Sequence, residues 1–156
     1  VGCPYEGDIA PEQAASVAQT LYDMGSYEVS LGDTIGVGNP ASISRLVEAC
    51  ARGIPIAKLA GHYHDTYGMA ITNIYASLQM GMSVFDSSIA GLGGCPYAQG
   101  ASGNVATENV VYLLQGLGIE TDISLASLVE IGDWISAQLG RENASSVGRA
   151  IFAKVK

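Results

Sequence analysis

Three short apolar runs alternate with amphipathic segments along most of this chain, and that rhythm excludes most folds at once. Tyr27–Leu31, Ile56–His62 and Ser83–Ile89 read as strands. Around them, Pro11–Met24 places Ala14, Val17, Ala18, Leu21 and Tyr22 at helical spacing between Pro11 and Gly25. Ser42–Cys50 repeats the pattern with Ile43, Leu46, Val47 and Cys50, and Met69–Met80 does so up to Gly81. Thr107–Gly116 and Leu125–Leu139 add two more helices. Successive strand starts lie about 30 residues apart, the length of a βαβ unit, so the strands are expected to be parallel and buried.

Two α/β architectures share that rhythm. A doubly wound sheet would carry a glycine fingerprint for phosphate directly after its first strand, and none stands there. A (β/α)8 TIM barrel needs about 250 residues, whereas the chain has 156. The expectation is therefore an incomplete TIM barrel, in which residues 1–156 form the C-terminal βα units of a single domain with its last helices at roughly 125–156.

Composition narrows the partners. Seven Lys and Arg against fifteen Asp and Glu give a formal charge of −8, which disfavours nucleic acid because phosphate binding needs clustered cations. No apolar run approaches the roughly 18 residues of a membrane span. Cys3, Cys50 and Cys95 are an odd number without CxxC spacing, so neither a disulfide framework nor a thiolate zinc site is supported, and a reducing compartment is expected. The chain opens on Val1 without an initiator Met or a recognisable leader, as though cut from something longer.

The reactive side chains gather where the strands end: Gly32-Asp33-Thr34, His62-Tyr63-His64-Asp65 and Asp86-Ser87-Ser88. In a parallel barrel such ends converge on one mouth. His62 and His64 are the only histidines, and residues two apart in a strand face the same way, so both imidazoles can reach one divalent cation such as Mn²⁺, Mg²⁺ or Zn²⁺. A plainer alternative has them capping the strand through Asp65 or Tyr67.

Between 91 and 104, fourteen residues hold five glycines and Cys95-Pro96, the composition of a ligand-binding loop. A loop thiol can serve as proton donor or base, though a lone cysteine is also a small apolar residue, as Cys50 on its helical stripe is expected to be. Asp33 fits either a turn cap or a general acid/base or supporting role. Asn104 fits either a helix N-cap or a neutral oxygen ligand.

Four segments together resemble the hydroxymethylglutaryl-CoA lyase family: Cys3-Pro4-Tyr5-Glu6-Gly7, Ser30-Leu31-Gly32-Asp33-Thr34-Ile35-Gly36, His62-Tyr63-His64-Asp65-Thr66-Tyr67-Gly68 and Ser87–Ala98 with its Cys95-Pro96-Tyr97-Ala98. The resemblance implies a TIM barrel that cleaves 3-hydroxy-3-methylglutaryl-CoA to acetyl-CoA and acetoacetate with Mg²⁺ or Mn²⁺. It implies His62, His64 and Asn104 as metal ligands, with Cys95 and Asp33 as catalytic residues. It further implies an acyl-CoA substrate, no nucleic-acid or membrane partner, a homo-oligomer such as a dimer, and a cytoplasmic location, or the mitochondrial matrix in a eukaryote. The family's Arg-Asp pair after its first strand has no counterpart here, so the isolated segment is expected to be inactive. Two alternatives stay open: a related acyl-CoA condensing synthase, and a non-catalytic metal-binding half-barrel module.

Overall fold

A computed structural model describes residues 1–94 and 103–154. They fall into two compact units, residues 1–86 and residues 87–94 with 103–154.

The first unit carries the strand–helix alternation. A two-residue antiparallel pairing of β1 (Gly2–Cys3) with β2 (Gly7–Asp8) precedes α1 (Pro11–Asp23), β3 (Val29–Asp33), α2 (Pro40–Ala51), β4 (Leu59–Tyr63), α3 (Ala70–Gln79) and β5 (Val84–Asp86). The three longer strands form a parallel sheet in the order β3-β4-β5. This is the parallel βα architecture of the TIM barrel, present as an open sheet of three strands.

Local chemistry explains the helix starts. Pro11 opens α1, where its missing N–H is no loss. Asn39 and Ser42 form a capping box on α2, with Ala41 and Ser42 N–H donating to Asn39 Oδ1 at 3.1 Å and Asn39 N–H to Ser42 Oγ at 2.9 Å. Asp65 Oδ1 accepts from Ala70 N–H at 3.0 Å at the head of α3.

Strand limits depart from the sequence expectation. Ile56–Lys58 winds into a 3₁₀ turn, with Lys58 N–H donating to Pro55 O, so β4 begins at Leu59. The third strand stops at Asp86, and Ile89–Gly91 turns through Ala90 at φ 54.

Alternation along β3 sorts the faces. Val29, Leu31 and Asp33 are buried, while Ser30 and Gly32 are exposed. With Ile43, Leu46, Val47, Leu59, Tyr63 and Ile74, the buried face makes the core of this unit; each such aliphatic side chain contributes about 1.5–3 kcal/mol. Ser30, Gly32, His62 and Asp86 occupy the other face, since Gly32 pairs with His62 and His62 with Asp86.

The second unit is helical: α4 (Thr107–Gly116), α5 (Leu125–Gln138) and α6 (Ser146–Phe152). Between α5 and α6 the chain turns at Gly140, at φ 61, and α6 is opened by Ser145, whose Oγ accepts from Gly148 N–H at 2.8 Å. Ser88 bridges Ala106 in parallel, with Ser88 N–H donating to Val105 O and Thr107 N–H to Ser88 O. Val105, Val110, Val111 and Val129 are buried here.

Candidate metal centre

His62 lies in β4 and His64 directly after it, and their Nε2 atoms approach to 3.3 Å with ring centroids 5.2 Å apart. The strand's two-residue period puts both rings on one face, as the sequence implied. Asp86, beside His62 in the register, takes the His62 Nδ1–H at 3.3 Å and also accepts from Ser30 Oγ at 3.4 Å. With Nδ1 carrying the proton, His62 turns its Nε2 lone pair toward His64. Neither Asp65 nor Tyr67 caps the pair; Asp65 is occupied at α3.

Two cis ligands about 2.1 Å from one cation stand roughly 3.0–3.4 Å apart at octahedral or tetrahedral angles. The observed 3.3 Å falls in that range, so the imidazole pair fits a divalent cation. The same pair could share one proton as N–H···N. Burial and the adjacent His62 push the His64 pKa below its ordinary 6.5, against smaller opposing effects of the Thr34 backbone and the Asp33 charge. A lowered pKa keeps His64 neutral, the form that ligates metals. Two nitrogens are not a full shell, and among the described residues no three His, Cys, Asp or Glu side chains gather around one point.

Asp33 sits on the opposite face of the sheet, wholly buried beside Tyr63. Its Oδ2 accepts from Gly38 N–H at 2.9 Å, closing the Thr34–Gly38 loop, while Oδ1 has no partner among the described residues. In this arrangement Asp33 supports the loop above the strand end, and it does not share the face that carries the histidines.

The remaining predicted residues belong to the second unit or fall outside the description. Cys95 lies outside the described residues. Asn104 does not cap α4, whose N-cap is Ala106 with no side-chain bond; its Nδ2 donates to Leu92 O at 3.1 Å. That bond engages the amide nitrogen and leaves Oδ1 as the atom suited to a hard cation.

Sequence reasoning missed Asp86 as the His62 partner and Glu108 altogether. Glu108 is wholly buried, and both its oxygens accept from Ala90 N–H at 3.0 Å. Burial pushes its pKa up, opposed by the N–H groups of Glu108 itself and of Ala90. A visible signal was a carboxylate three residues before Val111 on the apolar stripe of α4.

A cleft of the first unit, lined by Asp8, Pro11, Asn39, Arg45 and Leu46 among others, contains none of the predicted site residues. The histidine pair lies outside that cleft, His62 half-buried and His64 buried. No helix among the described residues is long and apolar enough to cross a membrane.

Known proteins give this geometry a context. The HMGL-like family model matches residues 1–135. A hydroxymethylglutaryl-CoA lyase of Pseudomonas mevalonii is 56% identical over 154 residues, covering 99% of this chain and 51% of the relative. A Pseudomonas aeruginosa protein described as a 3-hydroxy-3-isohexenylglutaryl-CoA/hydroxymethylglutaryl-CoA lyase is 58% identical, with the same two coverages. The crystal structure of a hydroxymethylglutaryl-CoA lyase from P. aeruginosa superposes with a TM-score of 0.94 at 59% identity, over 98% of this chain and 51% of that one. The chain thus spans about half the length of the curated relatives it matches. Bacterial, mitochondrial and cytoplasmic lyases all stand among the relatives.

Proposed function

The chain belongs to the HMGL-like family, and from that membership we propose that it is part of a divalent-metal-dependent carbon–carbon lyase cleaving 3-hydroxy-3-methylglutaryl-CoA to acetyl-CoA and acetoacetate. The observation that carries the reading is the His62–His64 pair at the end of β4, its Nε2 atoms 3.3 Å apart. The names of the similar lyases supply the substrate.

His62 and His64 hold the cation, with Asn104 Oδ1 as the proposed oxygen ligand; Mg²⁺ or Mn²⁺ suits this mixed nitrogen and oxygen set. When bound, the cation polarises the tertiary hydroxyl and carboxylate of the substrate. Asp86 keeps His62 in the tautomer that ligates through Nε2. Asp33 holds the Thr34–Gly38 loop through Gly38 N–H, which favours a supporting role over direct proton transfer. Cys95 is the proposed donor of the proton that converts the acetyl-CoA carbanion to product. Homodimeric assembly, and a cytoplasmic or mitochondrial site of action, belong to the same reading.

The test is turnover of 3-hydroxy-3-methylglutaryl-CoA by the intact protein with Mn²⁺ or Mg²⁺, with and without His62→Ala and His64→Ala. Either variant should lose about a thousandfold in kcat/KM, because the cation's contribution is several kcal/mol, and should lose tight Mn²⁺ binding in a spin-resonance titration. Wild-type turnover in either variant would sink the metal-centre reading. The condensing-synthase alternative is separated by Cys95→Ala, which should cripple the lyase and leave a synthase indifferent.

A further inference from the structure

Asn73, on α3, is wholly buried, yet neither capping nor a neighbouring helix accounts for its side chain. Its Nδ2 donates to Gly38 O at 3.0 Å across 35 residues of sequence, while its Oδ1 has no partner among the described residues. An unsatisfied buried oxygen costs about 1–3 kcal/mol, which a leucine of similar size would avoid. The bond it secures therefore matters more than the burial.

Gly38 is held from both sides. Asp33 Oδ2 takes its N–H at 2.9 Å, and Asn73 takes its carbonyl. The loop so clamped is tight against the segment that follows His64: a Cβ on Gly36, at φ 69, would stand 2.9 Å from Thr66 N and 2.8 Å from Thr66 Cβ. The clamp thus reaches the His64 segment through the packing of Gly36 on Thr66, two residues along the chain from His64.

We propose that Asn73 is a positioning residue for His64: by fixing Gly38 it fixes the loop that sets the His64 ring against His62, and thereby tunes divalent-cation binding. The second clause rests on the metal-centre reading above; the first does not.

The experiment uses the intact protein and two substitutions on the same helix. Asn73→Leu removes the clamp while keeping the volume. Ser77→Ala removes the hydroxyl that bonds Tyr63 Oη at 2.8 Å and Asn73 O at 2.9 Å, a buried change of the same α3 that leaves Gly38 alone. Mn²⁺ affinity is read by spin-resonance titration, and the His64 ring by the ¹⁵N shifts of its imidazole. Asn73→Leu should weaken Mn²⁺ binding about tenfold, the lower end for lost supporting contacts around a metal, and move the His64 resonances. Ser77→Ala should lower stability and change neither. Unchanged affinity and unchanged His64 shifts in Asn73→Leu overturn the proposal, as do equal changes in both variants. If the wild type binds no Mn²⁺, the metal-centre reading fails by itself, and the His64 shifts alone decide the positioning role.

Discussion

Each unit buries one carboxylate against a backbone N–H, and the two do so to different ends. In residues 1–86, Asp33 takes Gly38 N–H with one oxygen and leaves Oδ1 unpaired; His64 Nδ1, Thr66 Oγ1 and Asn73 Oδ1 are likewise without hydrogen-bond partners among the described residues. In the second unit, Glu108 places both oxygens on Ala90 N–H, Ser136 Oγ donates to Gly132 O at 2.7 Å, and Ser145 Oγ pairs with Asn109 Oδ1 at 2.9 Å. Buried polar atoms are normally paired, because each unpaired one costs free energy. The second unit follows that rule as scaffolding does. The first departs from it within 33–73, the stretch that carries both histidines, so its interior is organised around a task other than its own stability.

The contrast is most open to attack at Glu108. Its removal in Glu108→Ala leaves the Ala90 N–H without an acceptor in a left-handed turn and opens a cavity under Gly132, whose Cα side faces Glu108 Oε1 closely. The loss should be about 3 kcal/mol in urea denaturation. Glu108→Gln keeps an acceptor oxygen and should lose less. A cost under about 1 kcal/mol for Glu108→Ala would mean that the fully paired carboxylate is not structural, and the distinction between the units would collapse.

A smaller effect sharpens the other side. Gly36→Ala must place a methyl against Thr66 N at φ 69, whereas Gly7→Ala meets a similar φ of 75 with nothing within 4 Å. Backbone strain is common to both, at about 1 kcal/mol. The steric conflict at Gly36 should bring that variant's loss to about 2 kcal/mol and displace the Thr66 segment, so its Mn²⁺ affinity should fall while that of Gly7→Ala stays. Equal affinities would detach the loop from the histidine pair.

What could be read beforehand follows the same division between local and non-local causes. Helices opened by Pro11 or closed by Gly25 and Gly81 were legible, since their signals are contiguous, and so was the histidine pair, which needs only the two-residue period of a strand. The parallel sheet was legible from the alternation of elements. Asp86 was not, because its link to His62 depends on the register of two strands 24 residues apart. Asn104 looked like a helix cap from its place before Thr107, yet its amide is taken by Leu92 O, a turn that only the folded 88–93 segment supplies. Glu108 went unread because its partner, the Ala90 N–H, lies 18 residues away and meets it only in the folded chain. Asp33 was legible as a strand-end residue, and strand parity, which puts it with Val29 and Leu31, then sets its face.

The least of the expected effects is a difference in the sign of pH dependence. His64 resists protonation when folded, and the unfolded chain protonates it at its ordinary 6.5. As pH falls through 6.5 the unfolded state therefore binds the extra proton first, and stability declines until folded His64 titrates as well. Glu108 runs the other way: its raised pKa means that the unfolded chain ionises first, so stability declines as pH rises from its ordinary 4.5 through the raised folded value. Asp65, raised by burial from 3.8, acts in the same sense as Glu108 at lower pH. Denaturant titrations across this range should show that His64→Gln removes the loss on the acid side of 6.5, while Glu108→Gln removes part of the opposing slope. Each change should be a fraction of the Gly36→Ala loss. A His64→Gln protein with the wild-type slope below 6.5 would show that the ring is not held neutral, and with it would go the reason for expecting His64 to meet a cation as a free base.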